Sequence, residues 1–366
     1  MRIDSLKLID FRNFSRVDVG FHEHTTVFVG NNGEGKTNLL ESVYFLTTGR
    51  SFRVKDEQRM IRTGKNMSKI VGVFEDDKIK HTVTAVLHPQ GKTILFNKTP
   101  VLSIKNHIGK IHTVLFSPMD MDFFDTSPKN RRRFLDIEGS KCTQPLVEAL
   151  FNYNRLLKER NTYLKHNNPE EEYIVSLDHQ LTTAQIEIIR FREEFIEFLN
   201  QQLTDIYQKL SSEEANIDVK YETVYDLEET DREKHIMSVI QQSRKKDLLY
   251  RLSHVGVHRD DMIVQFDGRN VEEYASQGQK RLLIISIKLA LVKYIQKTKN
   301  ISPILLLDDV FSEIDQQRRE TFLRCMPKDI QTIVTTTDLS DIQTIDRNHM
   351  MIYQVDQNSV IKGFSE

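Results

Sequence analysis

Residues 30–37 read Gly30-Asn31-Asn32-Gly33-Glu34-Gly35-Lys36-Thr37, after the apolar run Thr26-Val27-Phe28-Val29 and before Asn38-Leu39-Leu40-Glu41-Ser42-Val43-Tyr44-Phe45-Leu46. The run predicts a buried strand, and the segment after the loop predicts a helix. Strand, glycine-rich loop, Lys-Thr and helix in that order form a phosphate cradle. The glycines let backbone N–H groups turn inward without a Cβ clash. The helix N-terminus adds a fixed positive potential. Lys36 is expected to reach the outer phosphates of a nucleotide, and the Thr37 hydroxyl to coordinate Mg²⁺. A mere glycine-rich turn before a helix would have no need of the Lys-Thr pair.

A second segment supplies what such a cradle lacks. Ile304-Leu305-Leu306-Leu307-Asp308-Asp309 is a continuous apolar strand ending in two carboxylates. A strand of this kind is buried on both faces of a parallel sheet, and such sheets place ligands at their C-terminal ends. Asp308 is expected to hold Mg²⁺ through water beside Thr37. Asp309 is expected to orient or deprotonate the attacking water. Aspartate is one methylene shorter than glutamate and reaches that water poorly, so turnover should be slow.

Ser276-Gln277-Gly278-Gln279-Lys280 opens a predicted helix over 277–297. Ser276 with Gln279 three residues later fits a capping box. Gly278 in a first helical turn is unfavourable by about 1 kcal/mol against alanine, and makes better sense where a ligand must approach the backbone. A serine hydroxyl and free N–H groups at a helix start would suit a γ-phosphate.

Around these segments the chain alternates strands and helices at both ends. Residues 1–30 read as two strands and a turn, residues 69–96 as a hairpin or meander, and Thr113–Phe116 as a short strand. Residues 128–253 read as long helices. Leu177, Leu181, Ala184, Ile188, Phe191, Phe195 and Phe198 step by four and three, the seam of an antiparallel helical hairpin with Leu146–Lys165 as its partner. The fold class expected is α/β: a mixed sheet with flanking helices around the phosphate loop, carrying an inserted helical lobe. The expected parts are 1–118, 119–275 and 276–366.

Composition sets limits. The chain has 366 residues, 39% hydrophobic and 28% charged, with formal net charge −2. Its apolar stretches are too short to span a bilayer, and Met1-Arg2-Ile3-Asp4 begins no signal peptide. Two cysteines, Cys142 and Cys325, without metal spacing, fit a reducing cytoplasm. With pI near 6.7, any nucleic-acid surface must be a local patch. Lys129-Asn130-Arg131-Arg132-Arg133 is the densest. Those arginines either contact DNA or a partner, or pair internally with carboxylates such as Asp136 and Glu138.

The order of phosphate loop, helical insert, Ser-x-Gly-Gln helix and Asp-Asp strand resembles the ABC-type ATPase heads. Ser312-Glu313-Ile314-Asp315 resembles the loop that crosses between two such heads. Further segments are similar to the RecF family of bacterial recombination-mediator ATPases: Phe11-Arg12-Asn13-Phe14, Phe116-Ser117-Pro118-Met119-Asp120, Arg131-Arg132-Arg133-Phe134-Leu135-Asp136 and Gly256-Val257-His258-Arg259-Asp260-Asp261. The resemblance covers nearly the whole chain. It implies ATP as the nucleotide, a homodimer formed on ATP, and Ser276, Gly278 and Gln279 completing the site of a second copy. It implies that Arg12 and Asn13 lie near the nucleotide, alongside Gly30, Asn31, Asn32, Gly33, Glu34 and Gly35. It also implies weak ATPase activity and DNA binding at gaps, duplexes and junctions, mainly through phosphates. The partners implied are RecR and RecO, with RecA indirectly, in support of the SOS response and replication restart. No membrane is implied. The usual switch-loop His is missing from Thr335-Thr336-Thr337-Asp338, and the usual metal-side Gln is missing after Phe116, where Ser117 or Asp120 is expected instead. Chromosome-structuring heads carry far longer inserts, and transporter subunits need a membrane partner.

Overall fold

Alternating apolar residues build the first strands. In the computed structural model, Ile3, Leu6, Leu8 and Phe11 bury one face of β1 (Arg2–Phe11), with a register shift between Ile3 and Ser5. The structure describes residues 1–125, 127–327, 329–343 and 349–363, and the side chains at 125, 312 and 313 lie outside that description. After β1 come β2 (Phe14–Gly20), β3 (Thr25–Val29), α1 (Lys36–Thr48), β4 (Ser68–Asp76), β5 (Ile79–His88), β6 (Gly91–Phe96), β7 (Thr99–Pro100) and β8 (Thr113–Phe116). The middle holds α2 (Asp122–Asp125), α3 (Pro128–Cys142), α4 (Gln144–Tyr163), α5 (Glu171–Ser211), β9 (Ile217–Glu222) and α6 (Arg232–Tyr250). The last part holds β10 (Asp261–Phe266), β11 (Arg269–Asn270), α7 (Val271–Tyr274), α8 (Gln277–Lys299), β12 (Ile304–Asp308), α9 (Gln316–Cys325), β13 (Thr332–Thr336), β14 (Met350–Asp356) and β15 (Ser359–Lys362).

Two compact units result. The first comprises Met1–Asp120, Gln208–Glu213 and Ile284–Glu366. It holds an antiparallel sheet of order β2-β1-β4-β5-β6-β7 and a second sheet of order β15-β14-β3-β13-β12-β8. In the second sheet all neighbours are parallel except β15 on β14. β12 is buried along its whole length, as a strand covered on both faces must be. Leu39, Leu40, Phe45, Phe28, Leu306, Ile333, Phe74 and Tyr353 belong to one apolar core of this unit. β3, β13 and β12 lie side by side, so the loops after them meet at one end of the sheet.

The second unit comprises Met121–Tyr207 and Glu214–Leu283. The division between units falls inside α8, after Leu283. The seam residues expected on α5 are buried from Leu177 to Phe198. Its helical reading needs one correction. Ile217–Glu222 is a strand, β9, in a three-stranded sheet of order β11-β10-β9. Ile217 and Val219 alternate inward at period two, which overrides the helical surroundings. The free edge of β9 is closed by α5: Asn200 exchanges two hydrogen bonds with Val219, at 2.9 and 2.7 Å, and the Thr204 hydroxyl bonds both Ile217 backbone groups.

Candidate nucleotide site

The loop between β3 and α1 takes its shape from its glycines. Gly33 and Gly35 sit at φ 88° and 105°, backbone that only glycine adopts without strain. Gly30 is needed for a different reason: a Cβ there would lie 2.2 Å from the Val355 carbonyl oxygen. α1 begins at Lys36. The Lys36 ammonium donates to the Gly30 and Asn31 carbonyls at 2.6 and 2.9 Å. Burial lowers its pKa, while Asp309 and Asp308 oppose that shift. Asn31, Asn32 and Gly33 are exposed at the crest of the loop.

Across from this loop, the Thr37 hydroxyl donates to Asp308 Oδ1 at 2.8 Å. The same oxygen receives the Thr335 hydroxyl at 2.9 Å. Asp308 is buried, and burial raises its pKa against those two hydrogen bonds. The next residue, Asp309, sits at φ 51°, a left-handed conformation that aspartate adopts at a cost. Its N–H is held by the Thr335 carbonyl at 3.2 Å and the Thr335 hydroxyl at 3.0 Å. One hydroxyl on β13 therefore locates both acidic residues.

Arg12 and Asn13 flank the loop from the β1–β2 turn. Arg12 sits at φ 53°. Its guanidinium makes a bidentate pair with Glu41, at 2.8 and 2.7 Å, and donates to the Arg59 carbonyl. Glu41 is fully buried on α1 and also accepts from Ser51 at 2.5 Å. Arg53 lies 3.7 Å from Glu41 and donates to Asn38 at 2.7 Å. Asn38 in turn donates to Asn13, and Asn13 donates to the Glu34 carbonyl at 2.9 Å. Glu41 and Arg53 escaped the sequence reading, and Thr335 entered it only as part of the stretch where a switch-loop His is missing. A charged residue amid Leu39, Leu40, Ser42 and Val43 was the available signal for Glu41.

Other expected residues have structural partners. Asp120 accepts the Ser117 N–H at 2.7 Å and pairs at 2.5 Å with Lys288, which also donates to the Leu115 carbonyl. Ser276 and Gln279 form the reciprocal capping box, at 2.9 and 3.2 Å. A Cβ on Gly278 would meet nothing within 4 Å among the described residues. Asp315 caps α9 by accepting the Arg318 N–H, while the Ser312 and Glu313 side chains lie outside the described residues.

The arginine run divides. Arg131 is buried and makes a bidentate pair with Asp261, at 2.8 and 2.7 Å, and an ion pair with Glu272. Arg132 donates to the Asp260 carbonyl, and Arg133 is exposed. Internal pairing thus holds for Arg131, but through Asp261 rather than the carboxylates named above. Asp136 pairs with Arg192, and Glu138 with Lys141. Arg192 also pairs with Asp260, whose carboxylate accepts the Tyr221 and Thr223 hydroxyls.

The family described as AAA ATPase domain matches residues 1–302. The chain is 34% identical over 364 residues to the DNA replication and repair protein RecF of Clostridium botulinum (strain Okra / Type B1), covering 98% of this chain and 99% of that protein. Among solved structures it is similar to the recombination mediator protein RecF with ATP, in the RecFOR pathway, at TM-score 0.91 and 26% identity, over 99% of this chain and 98% of the other. A similar fold is found in the SMC head bound to the winged-helix domain of ScpA, at TM-score 0.59 and 16% identity, over 99% and 97% of the two chains.

Proposed function

Because the chain belongs to the RecF family of DNA replication and repair proteins, we propose that it is an ATP-dependent DNA-binding protein of recombinational repair. The observation that carries this reading is the hydrogen bond from Thr37 to Asp308, which joins the phosphate loop to the acidic strand end. A hydroxyl and a carboxylate make a hard oxygen donor pair of the kind Mg²⁺ takes together with substrate phosphates. Thr37 and Asp308 would hold the ion, which neutralises charge on the phosphoryl oxygens when bound. Lys36 would bind the outer phosphates. The backbone of Asn31, Asn32, Gly33, Glu34 and Gly35 would ring them.

Asp309 would hold the attacking water. Its short side chain on a strained backbone favours slow hydrolysis, which suits a switch that resets after ATP has acted as glue. Ser276, Gly278 and Gln279 would contact the γ-phosphate of a second copy. The open space at Gly278 leaves the turn free for that approach. In this reading 1–118 and 276–366 form the ATP-binding lobe, and 119–275 is the inserted lobe. The dimer would bind gapped and duplex DNA and junctions through phosphates. It would act with RecR and RecO toward RecA loading, supporting the SOS response and replication restart in the cytoplasm. No helix among the described residues is long and apolar enough to cross a membrane.

The test is fluorescence anisotropy of a labelled gapped duplex over a salt series, with and without Mg²⁺-ATP. Binding should require ATP, fall steeply with salt, and disappear in Lys36→Ala. Binding indifferent to both nucleotide and salt would contradict the reading.

A further inference from the structure

We propose that the turn of the C-terminal β14–β15 hairpin, Gln357-Asn358, is a positioning element of the nucleotide site: it holds the phosphate loop in its binding shape. The hairpin touches that loop directly at two points and, through Asn13 of the β1–β2 turn, indirectly at a third. The Val355 carbonyl lies against Gly30, so closely that no Cβ would fit. The Gln357 N–H donates to Glu34 Oε2 at 2.6 Å. The Asn358 side-chain oxygen accepts from Asn13 Nδ2 at 2.5 Å, the same amide that donates to the Glu34 carbonyl. Asn13 also stands where a Cβ on Gly35 would fall, 2.4 Å from its Nδ2. The start, middle and end of the loop are thus each fixed by the hairpin or by the asparagine it anchors.

The geometry of the turn makes this a rigid contact. Asp356 and Ser359 face each other across β14 and β15, which leaves a two-residue turn. Gln357 and Asn358 sit at φ 45° and 67°, the positive pair that tight hairpin turns use. β14 itself runs parallel to β3, with Gln354 opposite Val29, the last strand residue before the loop. A loop that is glycine-rich is entropically costly to order. Contacts that order it in advance lower the free-energy cost of binding phosphate.

This inference rests on the nucleotide reading of the site, and the experiment separates the two. Equilibrium binding of mant-ATP with Mg²⁺ is measured by fluorescence on the full chain, beside its thermal melt without nucleotide. The variants are Asn358→Gly, Glu34→Ala, Glu34→Gln and Lys36→Ala. Glycine suits the φ of position 358, so Asn358→Gly keeps the turn and removes only the acceptor. Ala and Gln at position 34 have the same charge, but only Gln retains an oxygen for the Gln357 N–H. The expected result is a Kd about three- to tenfold higher in Asn358→Gly and in Glu34→Ala. Glu34→Gln should stay within twofold of the parent chain, and the melts should be unchanged. If Lys36→Ala loses binding while Asn358→Gly and Glu34→Ala bind like the parent, the hairpin has no positioning role. If Lys36→Ala also binds like the parent, the nucleotide reading falls and this inference with it.

Discussion

Thr335 donates its hydroxyl to Asp308 Oδ1 at 2.9 Å, and its hydroxyl oxygen accepts the Asp309 N–H at 3.0 Å. A single side chain on β13 therefore sets the two acids at the end of β12. Asp308 lies directly opposite Thr335 in the parallel register, so the arrangement follows from strand pairing. Removing the hydroxyl leaves a buried carboxylate short of a donor, which costs about 1–3 kcal/mol. Thr335→Val should lower steady-state ATP hydrolysis roughly tenfold or more, while Thr335→Ser retains most of it. Equal rates for the Val and Ser variants would remove Thr335 from the site.

Glu41 is the counter-ion for Arg12 and stands close to Arg53, yet is itself fully buried. Removing one partner of a buried pair leaves an uncompensated charge and costs about 3–5 kcal/mol. Arg12 is partly exposed, so the lower end applies. Urea unfolding of Glu41→Ala should show a loss of about 3 kcal/mol, and nucleotide binding should weaken because Arg12 and Arg53 lose their anchor. A loss below about 0.5 kcal/mol, the size of an ordinary surface change, would mean that Glu41 anchors neither.

Neighbouring arginines should behave differently. Arg131→Ala breaks the buried pair with Asp261 and should destabilise the chain by about 3 kcal/mol. Arg133 is exposed, so Arg133→Ala should change stability by no more than about 0.5 kcal/mol. If it meets a DNA phosphate, its loss reduces the salt slope of DNA binding by about one. Paired melts and salt titrations of the two variants check both statements.

His258 carries a pH signature. Burial is the main cause that lowers its pKa from 6.5 to about 4, with Arg259 and Arg132 adding to the shift. The Tyr153 hydroxyl lies 2.6 Å from its Nδ1. The folded state resists protonation that the unfolded chain accepts. Stability is therefore full above pH 6.5 and falls as the pH drops toward 4, by about 3 kcal/mol from this residue. His258→Gln should flatten the unfolding free energy over that window. An unchanged pH profile in the variant would assign the acid sensitivity to other groups.

The readable parts of the chain were those where local pattern and tertiary need coincide. The glycine loop, the apolar strand before Asp308 and the heptad steps of α5 each announce themselves within a short window. Fold class and most elements were legible for that reason. β9 was hidden because its two inward residues, Ile217 and Val219, sit within a helical stretch, and its strand partner β10 is distant in sequence. Glu41 and Thr335 look like ordinary helix and strand residues until strand pairing brings them to Arg12 and Asp308. Asn358 lies 345 positions from Asn13, and nothing local in either segment foretells that contact. For Arg131 the chain offered nearby carboxylates, but a helix turns them aside and the fold supplies Asp261 instead.

The most direct test is solution mass by light scattering, with Mg²⁺ alone and with Mg²⁺-ATP, for the parent chain and for Lys36→Ala, Ser276→Arg and Asp309→Asn. The 42.9 kDa chain should double in mass on ATP. Lys36→Ala and Ser276→Arg should remain single, and Asp309→Asn should hold the doubled state longer. A parent chain that binds ATP to saturation and stays at the mass of one copy would contradict the ATP-gated dimer, leaving Ser276 as no more than the cap of α8.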